Sequence, residues 1–472
     1  MLFNSIEFAL FLPIVFLLYW FLFQRNLRWQ NLFIVGVSYL FYGWWDWRFL
    51  VLIAFTSFCS WGSGLLIQRY RHRPLAKLVH ITNITLNLII LGVFKYYDFF
   101  VTSFATIFLD GQTDGLLLKI ILPVGISFYT FQALSYSIDV YRENLKPTRD
   151  IIQFFAFVSY FPQLVAGPIE RATNLLPQFE KPRAFDYSQA VDGMRQILWG
   201  LFKKIAVADS CAVYVDHVFA AYQSQGGLTL AVAAVLFAFQ IYGDFSGYSD
   251  IAIGTSKLFG IKLMRNFNNP YFSRNIAEFW RRWHISLTTW FRDYVYIPLG
   301  GSRVSKAKVV RNTFVIFLLS GFWHGANWTF IAWGIFHALL FLPLILMGKN
   351  RKFTDNIAEG RSFPSLSDMC RMLLTFMLVT LGWILFRADT ISQAWEYITM
   401  IPHGGGFYTH GVLTCVICVF IMLVVEWIGR GRSHGLELKC RSTLLRYLIY
   451  FILIIIMFCV YSNSESFIYF QF

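Results

Sequence analysis

Residues 312–347 read NTFVIFLLSGFWHGANWTFIAWGIFHALLFLPLILM. The stretch contains no Asp, Glu, Lys or Arg, and its polar residues cluster most densely in the short turn-like segment around His324. A run of about 20 mostly apolar residues is long enough to cross the hydrocarbon core of a bilayer. The stretch therefore predicts two membrane helices, near residues 312–327 and 329–347, with polar groups at their junction.

The rest of the chain has the same character. Of its 472 residues, 57% are hydrophobic and 14% are charged, against about 25% charged in soluble domains, and the mean hydropathy is +0.54. Further apolar runs lie near residues 7–23, 31–43, 49–67, 78–100, 119–140, 151–166, 190–209, 228–243, 372–387, 411–429 and 443–461. We predict an all-α polytopic membrane protein with about 11–13 membrane helices, several of them tilted or re-entrant.

The net charge of +14 would suggest nucleic acid as a partner of a soluble protein. Here the basic residues concentrate in short loops after the first, third and fifth apolar runs, whereas the loop at 110–114 is acidic. By the positive-inside rule the basic loops are cytoplasmic, which predicts a multi-pass protein with its N-terminus outside. The charge then meets anionic membrane lipid, and we predict no nucleic-acid partner.

His324 is the clearest polar group inside the apolar runs. Ionisable side chains at the centre of a span cost roughly 2.5–3.5 kcal/mol on insertion scales, so a functional role is the default interpretation. A neutral imidazole can take a proton from a hydroxyl that attacks an activated carbonyl. If the helix is continuous, Asn327 lies on the same face and orients the imidazole, while Gly321 and Gly325 permit close approach of a helix or substrate. The alternative is a histidine that only joins two helices by a hydrogen bond.

A second histidine, His284, lies in the aromatic and basic segment Ile276–Tyr296, which predicts a helix in or near the cytoplasmic interface. Arg281, Arg282 and Arg292 are suited to the phosphates of an anionic donor, and Trp283 to its base or acyl chain. His284 would polarise the carbonyl of that donor. An interfacial aromatic belt with snorkelling arginines explains the same pattern without a ligand.

Two further segments predict interrupted helices. Residues 242–250 read YGDFSGYSD, and their glycines and serines suggest a break between half-helices, with Asp244 and Asp250 lining a cavity or capping the helix ends. Residues 161–168 read FPQLVAGP, and two prolines interrupt a helix there. His337 is better explained by packing, because 13 residues turn an ideal helix about 220° away from His324.

Several function classes are excluded by missing motifs. The sequence has no Ser nucleophile elbow, no Walker-type phosphate loop and no zinc-spaced His/Cys cluster, which removes serine hydrolases, P-loop ATPases and metalloproteases and predicts no metal site. Histidine-centred chemistry in a lipid-embedded cavity remains. A transporter or flippase of a lipid-linked carrier and a non-catalytic membrane scaffold are the competing hypotheses.

The segments 279–284 (FWRRWH), 290–301 (WFRDYVYIPLGG) and 321–328 (GFWHGANW) resemble the membrane-bound O-acyltransferase superfamily. Within it they resemble the branch of the alginate O-acetylation membrane protein, which includes peptidoglycan O-acetylation proteins and, more distantly, the teichoic acid D-alanyl transfer protein. Supporting segments are 122–129, 166–168, 244–250 and 467–472. Gly243 departs from the pattern, since a bulkier aromatic residue is expected before the Asp-Phe-Ser-Gly-Tyr motif.

The resemblance implies a single domain over residues 1–472, divided into N-terminal spans at 1–110, a catalytic core at 119–347 and C-terminal spans at 370–472. It implies a ring of helices around a central funnel, with His324 as the catalytic histidine and His284 as the second one. No cofactor would be permanently bound, and acetyl-CoA would be the donor. An extracytoplasmic acyltransferase partner would complete transfer to a polysaccharide acceptor such as alginate outside the bacterial inner membrane.

Overall fold

The structure is a computed structural model of the chain that describes residues 1–113, 115–165, 167–438, 442–461 and 468. Three parts of the predictions lie outside the described residues: Asp114 of the acidic loop, Ala166 of the 166–168 motif, and the terminal 467–472 motif apart from Ile468. Throughout the described residues the regular structure is helical. This confirms an all-α polytopic membrane protein.

Six of the described helices are long and apolar enough to cross a membrane: Phe49–Arg69, Pro74–Phe108, Gly227–Leu258, Trp328–Leu346, Leu366–Arg387 and Thr443–Val460. Two shorter apolar helices occupy Ile6–Leu22 and Val412–Ile428. The remaining predicted spans correspond to shorter or more polar helices. The count of 11–13 membrane helices and the ring around a funnel stay predictions.

The chain forms two compact units. Unit 1 comprises Met1–Gly193 and Thr255–Met264, and unit 2 comprises Met194–Gly254 and Arg265–Phe472. The predicted single domain, with N-terminal spans at 1–110, a catalytic core at 119–347 and C-terminal spans at 370–472, stays a prediction. Every histidine that the sequence singled out lies in unit 2.

The α-helices among the described residues of unit 1, besides the last turn of the helix Gly227–Leu258, are α1 (Ile6–Leu17), α2 (Leu27–Gly43), α3 (Arg48–Arg69), α4 (Pro74–Leu91), α5 (Tyr97–Phe108), α6 (Ile126–Tyr141), α7 (Ile151–Ser159), α8 (Phe161–Leu164), α9 (Ala172–Phe179) and the start of α10 (Tyr187–Leu201). α7 ends at Ser159 and α8 starts again with Pro162 in its first turn. Proline cannot donate the backbone hydrogen bond that a continuous helix needs, so the predicted interruption at 161–168 is confirmed.

Unit 2 begins within α10, which continues as a π-helical segment at Phe202–Asp209. Its helices are α11 (Ser210–Ala220), α12 (Gly227–Leu258), α13 (Ile276–Arg282), α14 (Ile285–Phe291), α15 (Lys306–His324), α16 (Trp328–Leu346), α17 (Leu366–Arg387), α18 (Ile391–Met400), α19 (Val412–Ile428) and α20 (Thr443–Val460). Gly227–Gly254 of α12 belongs to unit 2, and its last turn belongs to unit 1.

The predicted break at 242–250 is wrong, because α12 runs without interruption from Gly227 to Leu258. The glycines serve close packing instead. A Cβ at Gly247 would lie 2.8 Å from the carbonyl oxygen of Gly200, and a Cβ at Gly243 would lie 2.9 Å from that of Lys203, both closer than atoms can pack. Small residues thus let α12 approach the α10 backbone, a use that the sequence cannot distinguish from a helix break.

Candidate active site

His324 is the last residue of α15, and the next helix, α16, begins at Trp328. The two helices form a tight hairpin because Gly321 and Gly334 face each other. A Cβ on Gly321 would overlap the carbonyl oxygen of Phe330, and a Cβ on Gly334 would overlap that of Phe317. The predicted close approach at Gly321 is therefore realised by the backbone of α16, which fixes the end of α15.

The expectation of a continuous helix from His324 to Asn327 is wrong, since Gly325 has an extended backbone with φ −164° and ψ 158°. Asn327 is instead the cap of α16. Its side-chain oxygen accepts a hydrogen bond from the backbone N–H of Thr329 at 3.0 Å, and its amide nitrogen donates to the carbonyl oxygen of Asp389 at 2.9 Å. Asn327 thus orders the turn after His324, and its role in catalysis stays a prediction.

The imidazole of His324 lies in an aromatic environment and is 3% exposed. Its ring centroid lies 5.1 Å from those of Trp323 and Trp333 and 5.4 Å from that of Phe386, all in edge-to-face arrangements. These contacts restrict the ring to one orientation and keep bulk water away from it. Reactive groups at this position would be held in a small, dry space.

His284 separates two short helices, whereas the sequence predicted one interfacial helix over 276–296. That prediction is wrong: α13 ends at Arg282, α14 begins at Ile285, and a π-helical turn follows at Arg292–Tyr296. The break occurs because His284 adopts a left-handed backbone, with φ 42° and ψ 54°. Such a conformation costs a non-glycine residue about 1–3 kcal/mol and tends to occur at functional sites.

The fold brings the two predicted histidines together. The ring centroids of His284 and His324 are 6.4 Å apart although 40 residues separate them in the chain. His284 is 1% exposed, and its ring packs on Phe245 at 4.6 Å and on Trp323 at 5.7 Å. Two buried imidazoles at this separation can contact the same small reacting group.

His337 lies next to this pair without being part of it. It is fully buried in α16, with ring centroids 4.9 Å from Trp333 and 5.0 Å from Trp280. Trp333 therefore separates His337 from His324. This agrees with a packing role for His337. That role was argued from one continuous helix joining His324 to His337, whereas the structure interrupts the helix at Gly325.

A cavity of about 530 Å³ opens beside the histidines and is lined by α13, α14, α15 and the loop after α16. Ile285, the residue after His284, and Ser320, one turn before His324, both line it. Trp280 also lines the cavity and packs on Trp333. The cavity wall thus contains a near chain neighbour of each histidine, although neither imidazole lines it. The cavity volume falls within the range of roughly 300–1,000 Å³ that is typical of small-molecule sites.

The structure separates the four residues that were predicted to bind the donor. Arg281 and Arg292 line the cavity, together with Arg351, which the sequence did not single out. Trp283 does not line it: it is 1% exposed and packs against Trp383 with ring centroids 4.9 Å apart. Arg282 is also absent from the cavity wall.

Arg282 belongs to a buried ion-pair cluster. It contacts Glu278 at 2.9 Å, and Arg274 contacts the same carboxylate at 3.0 Å. Arg282 also donates to the backbone carbonyl of Asp355 at 2.8 Å. The Arg274 guanidinium hydrogen-bonds the side chain of Asp355 and lowers the pKa of that carboxyl.

Two other arginines hold the loop at 349–362 by its main chain. Arg281 donates to the carbonyl oxygens of Asn350 and Phe353, and Arg430 donates to those of Ile357 and Ala358. We call this set of contacts the arginine clamp. It places Asn350 and Arg351 in the wall of the cavity.

Asp244 and Asp250, whose roles the sequence left open, form ion pairs inside unit 2. The ammonium group of Lys204 lies 2.8 Å from Asp244 and 2.7 Å from Asp209, and that of Lys203 lies 2.5 Å from Asp250. They therefore join α12 to the π-helical segment rather than cap a helix end.

Sequence reasoning missed several residues that shape this site. Asn266 hydrogen-bonds His284, and Trp333 and Phe386 enclose His324. Asn266 lies in an ordinary polar loop, and the aromatic residues lie in runs already rich in them, so no local pattern distinguishes them. Only their positions in the folded chain do.

Comparison with known proteins identifies the family to which the chain belongs. The sequence model of the MBOAT, membrane-bound O-acyltransferase family, matches residues 141–359, which include both histidines of the pair and most of the cavity wall. The chain is 40% identical over 408 residues to the probable alginate O-acetylase AlgI of Pseudomonas aeruginosa, covering 86% of this chain and 75% of that protein.

Two other relatives are named for different acceptors. A peptidoglycan O-acetyltransferase of Helicobacter pylori is 35% identical over 423 residues, covering 84% of this chain and 78% of that protein. A teichoic acid D-alanyltransferase of Streptococcus thermophilus is 33% identical over 231 residues, covering 46% of this chain and 55% of that protein.

Proposed function

Since the chain belongs to the membrane-bound O-acyltransferase family and is an O-acyltransferase, we propose that it passes an acetyl group from acetyl-CoA across the bacterial inner membrane. The acetyl group is used to O-acetylate an extracytoplasmic polysaccharide, with alginate as the first candidate. An extracytoplasmic acyltransferase partner completes the transfer. The observation that carries this proposal is the buried His284–His324 pair, whose chain neighbours Ile285 and Ser320 line a cavity that also contains arginines.

The chemistry assigned to His324 is general base catalysis. The acceptor hydroxyl attacks the thioester carbonyl, its proton passes to the imidazole, and the same proton is returned to the departing CoA thiolate. Burial of the ring among Trp323, Trp333 and Phe386 limits the water that would otherwise hydrolyse the thioester. Holding both reactants in that space supplies proximity and orientation.

The donor is assigned to the cavity because the arginines that line the cavity carry positive charge. Arg281 hydrogen-bonds only to neutral carbonyl oxygens among the residues described and forms no direct ion pair with the nearby Glu278, whereas Arg292 is paired with Asp293 at 2.6 Å. Guanidinium groups bind phosphates through several parallel hydrogen bonds. A phosphate-bearing donor such as acetyl-CoA therefore matches the cavity better than an uncharged thioester.

The direction of transfer follows from the loop charges. The basic loops after α1 and α3 indicate a cytoplasmic side with the N-terminus outside. The clamped loop at 349–362 borders the cavity and carries Lys349, Arg351, Lys352 and Arg361, so the same rule assigns the cavity mouth to the cytoplasm, where acetyl-CoA is made.

The test compares His324→Gln with the matched control His337→Gln, since both remove a buried imidazole from the α15–α16 hairpin. Inside-out membrane vesicles from cells that synthesise the polymer are supplied with labelled acetyl-CoA, and label in precipitated polymer is measured. We expect His324→Gln to abolish incorporation at unchanged protein level and His337→Gln to retain it per folded molecule. Undiminished polymer labelling by His324→Gln would overturn the proposal.

Peptidoglycan is the second candidate acceptor, favoured by the 35% identity to a peptidoglycan O-acetyltransferase. The two acceptors are distinguished by digesting labelled envelopes separately with alginate lyase and with a muramidase. Label released by the lyase supports alginate, and label released only by the muramidase supports peptidoglycan.

A further inference from the structure

We propose that Asn266 is a positioning residue that fixes the proton of His284 on Nδ1 and leaves Nε2 as a hydrogen-bond acceptor for a second hydroxyl of the acceptor, since the attacking hydroxyl gives its one proton to His324. The inference rests on the proposed function and adds to it the orientation of the second imidazole. It also replaces the sequence-based expectation that His284 polarises a carbonyl, because a neutral imidazole without a proton on Nε2 has no donor there.

The tautomer follows from the hydrogen bonds of one amide oxygen. The Oδ1 atom of Asn266 accepts from the backbone N–H of Ser286 at 3.3 Å and lies 2.9 Å from the Ser286 hydroxyl. A backbone N–H can only donate, so the amide must present its oxygen on this side. The Nδ1 atom of His284 lies 3.1 Å from the same oxygen. Nδ1 must therefore carry the proton, which assigns the lone pair of the neutral ring to Nε2.

The other end of the Asn266 amide holds that orientation. Its Nδ2 atom donates to the hydroxyl of Ser249 on α12 at 3.1 Å, a bond that a hydroxyl can accept. Asn266 is fully buried. Rotating the amide by 180° would place its nitrogen against the Ser286 N–H and lose that bond, so the flipped amide is disfavoured.

Asn266 also holds the unusual backbone at His284. The carbonyl oxygen of Asn266 accepts from the N–H of Ile285 at 2.8 Å, while its side chain accepts from the N–H of Ser286. The two residues that follow His284 are thus bound by a single asparagine. These bonds offset the cost of the left-handed conformation and direct the imidazole towards the space shared with His324.

The remaining ring nitrogen is placed for a reactant. Nε2 of His284 is buried and has no hydrogen-bond partner among the residues that the structure describes, and the described residues form no ion pair with this ring. A buried acceptor without a partner is costly, and a substrate hydroxyl would satisfy it. The groups packed against the ring are aromatic or imidazole: Phe245 of α12, Phe267 of the following loop, and Trp323 and His324 of α15.

Asn266→Leu and Asn266→Asp test the inference in opposite ways. Leucine has a similar size but accepts no hydrogen bond, so His284 loses its fixed tautomer and position. We expect kcat to fall roughly 100-fold, the scale associated with a misplacement of about 1 Å, with little change in the KM for acetyl-CoA. Aspartate still accepts from Nδ1–H and from Ser286, so it should restore a large part of that loss.

The pH profile separates positioning from a purely structural role. A carboxylate at position 266 stabilises the protonated imidazole, so the acidic limb of the kcat profile of Asn266→Asp should move to higher pH by about one unit or more. Rates are measured with inside-out vesicles and labelled acetyl-CoA between pH 5.5 and 9. If Asn266 only supports the fold, both variants lose activity in proportion to the folded fraction and the limb does not move.

Asn268→Ala is the matched control. This neighbouring asparagine hydrogen-bonds Arg282 through its backbone N–H and carbonyl oxygen, which the substitution keeps. The Asn268→Ala variant should keep the wild-type kcat and the wild-type pH profile of kcat. Wild-type kcat in Asn266→Leu alongside an inactive His324→Gln would overturn the role of Asn266 while sparing the acyltransferase mechanism. Full activity of His324→Gln would instead overturn the proposed function itself.

Discussion

Arg281 and Arg282 are adjacent in sequence, yet the structure predicts opposite consequences for their loss. Arg281 lines the cavity and is exposed, while Arg282 is buried and bonded to Glu278. Arg281→Ala should weaken binding of acetyl-CoA and release the main chain at Asn350 and Phe353, while the helices stay folded. Arg282→Ala should destabilise the fold and leave the donor affinity of the surviving protein unchanged.

The magnitudes follow from the contacts that are lost. A hydrogen bond to a charged group is worth about 1.5–3 kcal/mol, so loss of one Arg281–phosphate interaction should raise the KM for acetyl-CoA about 10- to 100-fold. Breaking a buried ion pair costs about 3–5 kcal/mol. Arg274 still contacts Glu278 after removal of Arg282, so we expect about 3 kcal/mol, the low end of that range.

The assay measures KM with two donors and thermal unfolding in detergent. S-acetylpantetheine carries the same thioester as acetyl-CoA but no phosphate, so Arg281→Ala should affect KM for acetyl-CoA alone. Arg303→Ala serves as the control, because this exposed arginine of the same basic stretch does not line the cavity. An equal KM increase with both donors would refute phosphate recognition by Arg281, and a donor-specific defect in Arg282→Ala would refute the separation of the two roles.

Two further predictions concern the packing that supports the site. Lys204→Met should lower the free energy of unfolding by about 3–5 kcal/mol, measured by thermal or denaturant unfolding, because it leaves Asp209 and Asp244 buried without their shared ammonium partner; an unchanged midpoint would contradict this. Gly321→Ala should reduce both stability and acetyl transfer, because its Cβ would overlap the Phe330 carbonyl and displace the end of α15, whereas Gly431→Ala, with open space around it, should change neither.

The fold class and the histidine pair could be predicted from local sequence. A membrane helix is a property of one contiguous apolar run, and the polar segments at 279–284 and 321–328 stand out against such runs. Their proximity could not be deduced from spacing alone, and the resemblance named both histidines without placing them next to each other. The 6.4 Å separation of the rings is therefore a finding of the structure.

The incorrect predictions share a physical cause, which is that the relevant partner lies far along the chain. The glycines at 243 and 247 indicate either a break or a close contact, and the backbone of α10 decides between them. Arg281 and Arg282 have the same side chain, and only the position of Glu278 on α13 determines which one is buried. The left-handed backbone of His284 depends on Asn266, 18 residues earlier, so a helical pattern over 276–296 could not reveal the interruption.

The arginine clamp acts on carbonyl oxygens, which every amino acid carries. Positions 350, 353, 357 and 358 are bound through their main chain, so the hydrogen bonds of the clamp do not depend on the side chains there. Asn350 and its neighbour Arg351, which line the cavity, can thus vary while the frame of the rim stays constant. Such a border can be retuned to a different donor by single substitutions, with no rebuilding of the interior beneath it.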